Sequence, residues 1–144
     1  MGRNEMTYLL DTNAWIFGYL NDGALPAEIQ ELLAQKNAQF GLSAISLWEV
    51  GKKHQIGKLQ LHQALGAWLK GATAANIQVL PLTPEVVADA MNLPDFPVND
   101  PADELIVATA RVHRLTLLTC DTKLKGYRHA RIHYFTPIGE KHRK

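Results

Sequence analysis

The chain has 144 residues, enough for one domain with a proper hydrophobic core. With 47% hydrophobic and 20% charged residues and a formal net charge of +1, it has the make-up of an ordinary soluble globular protein, and no global field marks it as a nucleic-acid or membrane binder. The single cysteine, Cys120, excludes an intramolecular disulfide and an all-cysteine zinc cage, and no apolar run reaches the ~20 residues that span a bilayer.

Taken in order, the chain opens without a signal-peptide apolar stretch, so the expected location is the cytoplasm and no membrane partner is expected. Tyr8-Leu9-Leu10 reads as a short buried strand that stops at Asp11, with a helix opening behind it at Ala14, Trp15, Ile16 and Phe17. Asn21-Asp22-Gly23 is a turn, and Pro26 sits in the first turn of a helix whose apolar face is Ile29, Leu32 and Leu33. Phe40 to Ala44 reads as a second strand weakened by Gly41. A helix is expected from Ser46 to about Ile56, and another is marked by Leu61, Leu65, Trp68 and Leu69.

Ile77 to Leu80 is a third strand, and Thr83-Pro84-Glu85 starts a helix with Val86, Val87, Ala90 and Met91 on its apolar face. Residues 92–99 form a loop. Asp100-Pro101 opens the next helix, with Leu105, Ile106, Val107 and Ala110 mostly buried. Leu115 to Thr119 is a buried strand, followed by Asp121, and Ile132 to Phe135 is the last strand. Strands alternating with helices predict a parallel sheet covered on both faces, an α/β architecture. With no repeat or linker, one domain is expected over 1–144, its core at about 7–136 and a basic, frayed tail at 139–144.

Four places put acids at or within a turn of a helix start: Asp11, Glu49, Asp100 with Asp103, and Asp121. Each has a structural reading. Ser46-x-x-Glu49 matches a capping box, Asp100 with Asp103 has the same spacing, and Asp11 and Asp121 suit an N-cap. The collective reading is different. If the first and fourth strands are neighbours where strand order reverses, Asp11 and Asp121 meet at one crevice, with Asp103 one helical turn beyond Asp100. Carboxylates so crowded need a proton or a cation among them.

An all-oxygen cluster suits Mg²⁺ or Mn²⁺, which can bind phosphates or activate water against them. Zinc fits poorly because the six histidines are scattered, and the one pair four apart, His129 and His133, reads as solvated. Thr12, Asn13 and Thr119 flank the acids with short polar groups. Lys52, Lys53 and Lys58 are candidates to engage a nucleic-acid backbone, or else decorate an exposed face.

Leu9-Leu10-Asp11-Thr12-Asn13, Ser46-x-x-Glu49, Asn99-Asp100-Pro101-Ala102-Asp103 with Ile106-x-Ala108-x-Ala110, and Leu118-Thr119-x-Asp121 follow one another in family order. In this the chain resembles the PIN-domain family, and within it the VapC-type toxins of bacterial and archaeal toxin–antitoxin pairs. The resemblance covers roughly residues 7–136. It implies a three-layer α/β/α sandwich around a parallel sheet of four to five strands, a Mg²⁺- or Mn²⁺-dependent endoribonuclease, a homodimer, and an antitoxin that blocks the site. Carried over by position, Asp11, Glu49, Asp103 and Asp121 match the acidic quartet, with Asp100 a possible fifth ligand, and Asn13 and Ser46 match supporting polar positions. One departure is Glu104, where relatives often carry arginine; it exchanges a positive charge near the site for a negative one.

The reaction expected is hydrolysis of an RNA phosphodiester. Two rival readings fit the same residues. One is a non-catalytic RNA- or protein-binding domain whose acids serve as caps. The other is an aspartate-nucleophile phosphatase, for which Asn13 stands where a second aspartate is usual.

Overall fold

The structure is a computed structural model that describes residues 6–139; residues 140–144 of the basic tail lie outside the described residues. Five strands form one sheet: β1 (Tyr8–Leu10), β2 (Phe40–Ser43), β3 (Ile77–Leu80), β4 (Thr116–Thr119) and β5 (Ile132–Tyr134). Their spatial order is β3-β2-β1-β4-β5 and every pairing is parallel. Strand order therefore reverses between β1 and β4, and all carboxyl ends share one edge.

Successive side chains of a strand point to opposite faces, and the buried residues divide accordingly. Leu10, Leu42 and Leu118 pack on one face with Trp15 of α1 (Thr12–Leu20), Ile29 of α2 (Ala27–Leu33), Val50 of α3 (Ala44–Gln55) and Trp68 of α4 (Leu65–Ala72). Leu9, Leu80 and Leu117 pack on the other with Ile106, Val107 and Ala110 of α6 (Pro101–His113). Outside α6 lies α5 (Pro84–Ala90), whose Val86 and Ala90 meet Ala108. This is the expected three-layer sandwich. Arg111 ties the two outer helices together through both Asp89 carboxylate oxygens, at 2.8 and 3.1 Å. No helix of the described residues is long and apolar enough to cross a membrane.

Several local expectations change. α3 begins at Ala44 directly from β2, capped by Ser43, whose Oγ accepts from the Ile45 N–H; the capping box at Ser46 is not formed, and Ser46 is a buried residue inside the helix. Val87 and Met91 do not complete an apolar face on α5, because that helix packs chiefly against α6 and leaves them 41% and 66% exposed. Leu61 packs on the core from the loop ahead of α4 rather than from within a helix. Trp15 is core, its indole N–H donating to the Ala72 carbonyl at 2.8 Å, whereas Tyr19 and Leu20 are each 41% exposed.

Gly41 weakens the strand propensity of β2 but serves the packing. A Cβ there would sit 3.0 Å from a Leu80 methyl and 3.2 Å from a Leu9 methyl. Gly41→Ala should be absorbed by small movements of those side-chain ends. Gly41→Val should cost about 1–3 kcal/mol, the usual range for overpacking a dense core. Chemical denaturation of the two variants checks this, and an equal loss in both would contradict it.

Candidate active site

The acids are placed by the sheet. β1 ends at Leu10, and the Asp11 backbone N–H still donates to the Leu118 carbonyl of β4 at 3.0 Å. Asp11 is only 8% exposed. Its Oδ1 accepts from the Thr12 N–H at 2.8 Å, and its Oδ2 accepts from the Thr119 hydroxyl at 2.6 Å. The same Thr119 oxygen accepts the Asp121 N–H at 3.0 Å. One buried hydroxyl at the end of β4 thus holds a side chain from β1 and the backbone of the next acid.

A second set of contacts joins α1 to α3. Thr12 Oγ1 donates to Glu49 Oε1 and lies 2.7 Å from Ser46 Oγ. A threonine hydroxyl has one proton, and Glu49 Oε1 takes it, so Ser46 is the donor to Thr12. The order Ser46 to Thr12 to Glu49 fixes the glutamate relative to the start of α1. Ser46 and Thr12 are buried and Glu49 is half-buried. The failed cap at Ser46 is what frees both side chains for this arrangement.

Asp100 and Asp103 come from the start of α6. Asp100 Oδ1 caps the helix, accepting from the N–H groups of Ala102 and Asp103 at 2.9 and 3.3 Å. Asp121 likewise caps the 3₁₀ turn Thr122–Leu124 through the Lys123 N–H at 3.0 Å. The capping expectations hold for Asp11, Asp100 and Asp121. Capping does not exhaust these groups, because the five acids also feel one another. Burial first, and then the charges of Asp11, Asp100, Asp121 and Glu49, together raise the Asp103 carboxyl to about 7. Burial also raises Asp11 and Glu49; hydrogen bonds from Thr119 and Thr12 to Asp11, and from Thr12 to Glu49, act in the opposite direction.

Of the three lysines, Lys53 belongs to this region: its charge is felt at Asp11 and Glu49, and its Nζ donates to Asn13 Oδ1 at 3.4 Å. Lys52 bonds to Gln55 on the exposed side of α3, and Lys58 is exposed beyond its end. His129 and His133 form no pair; His129 lies by Tyr127, while His133 is half-buried and edge-on to Tyr8. Glu104, the departure from the arginine usual in relatives, is half-buried on α6 next to Asp103. Among the described residues no three Asp, Glu, His or Cys side chains stand at metal-ligating spacing. The donor set that converges is nonetheless all carboxylate, the chemistry of a hard divalent ion.

The raised Asp103 carries a sign. Unfolded, it titrates near 3.8; folded, near 7. Between these values the folded protein holds a proton the unfolded chain has lost, so its contribution to stability falls as pH rises through that window. In chelator, Asp103→Asn should therefore melt a few degrees above wild type at pH 8, with the gain shrinking at pH 5, given about 2–4 °C per kcal/mol at this size. Thermal melts at the two pH values check this; an equal shift at both would show the repulsion to be absent.

Known proteins share this fold. The PIN domain family profile matches residues 8–130. The chain is 36% identical over 93 residues to "Ribonuclease VapC22" of Mycobacterium tuberculosis, covering 65% of this chain and 71% of that protein. Among solved structures, DNA-bound VapBC from Salmonella typhimurium superposes with a TM-score of 0.69 at 21% identity, covering 90% of this chain and 98% of the other. VapBC2 from Rickettsia felis, bound to a promoter DNA fragment, gives 0.67 at 18% identity with the same coverage. With its profile match running from the first strand to the threshold of the last, the chain belongs to the PIN-domain family.

Proposed function

We propose that this chain is a divalent-metal-dependent endoribonuclease, the toxin of a toxin–antitoxin pair, acting in the cytoplasm and restrained by a cognate antitoxin. The observation that carries the proposal is the meeting of Asp11, Glu49, Asp103 and Asp121 at one sheet edge, where burial, and after it the charges of the neighbouring acids, lifts Asp103 to about 7. The ribonuclease character of the VapC22 relative and the toxin–antitoxin complexes among the structural neighbours support it.

Asp11 and Asp103 would be the main metal ligands, with Glu49 and Asp121 completing the set. Asp100, which caps α6 through one oxygen, is a possible fifth ligand. When bound, Mg²⁺ or Mn²⁺ would offset the carboxylate repulsion and supply Lewis-acid activation of water and phosphate. The chain's own contribution is orientation. Thr119 fixes Asp11, Thr12 and Ser46 fix Glu49, and Lys53, held by Asn13, offers a positive charge to a backbone phosphate. Exposed apolar side chains on α3, at its C-cap and on α5 (Trp48, Ile56 and Val87 in turn) favour protein partners, an antitoxin and a second copy of the chain.

No contact favours the phosphatase reading, since Asn13 stands where its second acid is needed and is engaged by Lys53. Purified protein should cleave total RNA in Mn²⁺ and cease in chelator. Asp11→Asn, which keeps the shape and removes the charge, should lower the rate at least about 100-fold, in line with loss of a metal ligand or its support. Cleavage by Asp11→Asn at the wild-type rate would overturn the assignment. Persistence of the chelated wild type would overturn the metal requirement.

A further inference from the structure

From Thr122 to Gly139 the chain contains no Asp or Glu, while Lys123, Lys125, Arg128 and Arg131 fall within nine residues. The structure converts this run into a continuous surface. All four side chains are exposed. Lys123 lies in the 3₁₀ turn capped by Asp121, so the run begins at the acidic crevice itself. A hollow of about 390 Å³ takes in Lys123, Lys125 and Arg128. A second, of about 610 Å³, takes in Arg128 and Arg131 together with Arg111 and Arg114 of the α6 end. Arg128 and His129 line both, joining them into one track.

The track turns from the carboxyl edge of the sheet to the opposite one. The second hollow is lined by Leu115, just ahead of β4, while Asp121 lies two residues beyond its end. Six residues of extended chain at about 3.3 Å each place those ends roughly 20 Å apart.

The charge along it is not cancelled. The two hollows hold six Lys and Arg against three acids, Glu85, Asp89 and Asp95. Asp89 is taken up by Arg111, whereas Arg131 spends one N–H on the Arg114 carbonyl and keeps its charge unpaired by any described acid contact. A net of +3 here against +1 for the whole chain leaves −2 on the remainder. Tyr134, under the Lys125 ammonium at 4.8 Å, adds an aromatic face beside the track.

We infer that this track is an extended binding path for the phosphodiester backbone of RNA, leading from the acidic crevice across the 123–131 segment to the far edge of the sheet. The inference rests on the nuclease reading for its substrate, but not for its charge or shape. A row of exposed guanidinium and ammonium groups engages phosphates without regard to base. The path is long enough for several successive phosphates of a single strand. Long RNAs therefore gain contacts that fragments of two or three nucleotides never reach.

Two measurements test it with the full-length protein. The first is binding: a fluorescent 20-nucleotide single-stranded RNA is titrated in chelator against the Asp11→Asn protein, alone and with Arg128→Ala plus Arg131→Ala. The added pair should weaken binding at least tenfold and lower the salt slope by about 1.4, two phosphates at 0.7 each for a single strand. The second is cleavage: the ratio of kcat/KM for the 20-mer to that for a trinucleotide should fall at least tenfold in the Arg128→Ala, Arg131→Ala protein. Lys123→Ala plus Lys125→Gln serves as a second pair, with melting temperatures checking the fold of each. Unchanged affinity and an unchanged ratio in both pairs would overturn the path. Should the wild type cleave no RNA in Mn²⁺, the nuclease reading fails, and the binding measurement still decides the path.

Discussion

Five carboxylates share one end of this sheet, and water is largely excluded from the nearest of them. Asp11 is almost fully buried, and Asp103 is lifted to about 7 by burial and by the other four acids. Crowding of this kind costs stability unless a proton or a cation intervenes. A chain built only to be stable would replace most of these groups. The fold instead brings them together from β1, α3, α6 and the residues after β4, and spends three buried hydroxyls on holding them there.

Those hydroxyls hold two of the acids, Asp11 and Glu49, in place. Thr119 reaches the Asp11 side chain and the Asp121 backbone at once, so β1 and β4 are joined through a side chain just past their last ladder bond. Thr12 does the same between α1 and α3. Serine and threonine suit the task because one hydroxyl can donate and accept together. Asp11 takes a donor on each oxygen, which fixes its plane, while Asp103 carries no described hydrogen bond on its carboxyl. The two acids therefore differ in character, one locked and one left to the charges around it.

The charge distribution gives the molecule two ends. Acids collect where the strands finish, and cations collect along the 123–131 segment and the close of α6. Near-neutrality of the whole chain conceals this division, because the two excesses cancel in the sum. A polyanion approaching such a surface is held by the cations and presented to the acids, which by themselves would repel it.

The amino-acid sequence by itself determined the order of strands and helices, the four acidic stations and the family. Short apolar runs, helix starts and spaced carboxylates are local patterns, and local patterns survive in one dimension. It also marked Thr12, Asn13, Ser46 and Thr119 as polar neighbours of those acids. It misled at Ser46, where a capping-box spacing is real but Ser43 caps the helix three residues earlier. It misled again on α5, where Val87 and Met91 meet water because α6 is the main partner of that helix.

Only the tertiary structure decided which hydroxyl serves which acid, that Lys53 rather than Lys52 or Lys58 adjoins the crevice, and that Arg111 and Arg114 border the same surface as Arg128 and Arg131. The reason is physical. Burial, repulsion and hydrogen-bond choice depend on distances between segments, and those distances exist only once a parallel sheet has set β1 beside β4.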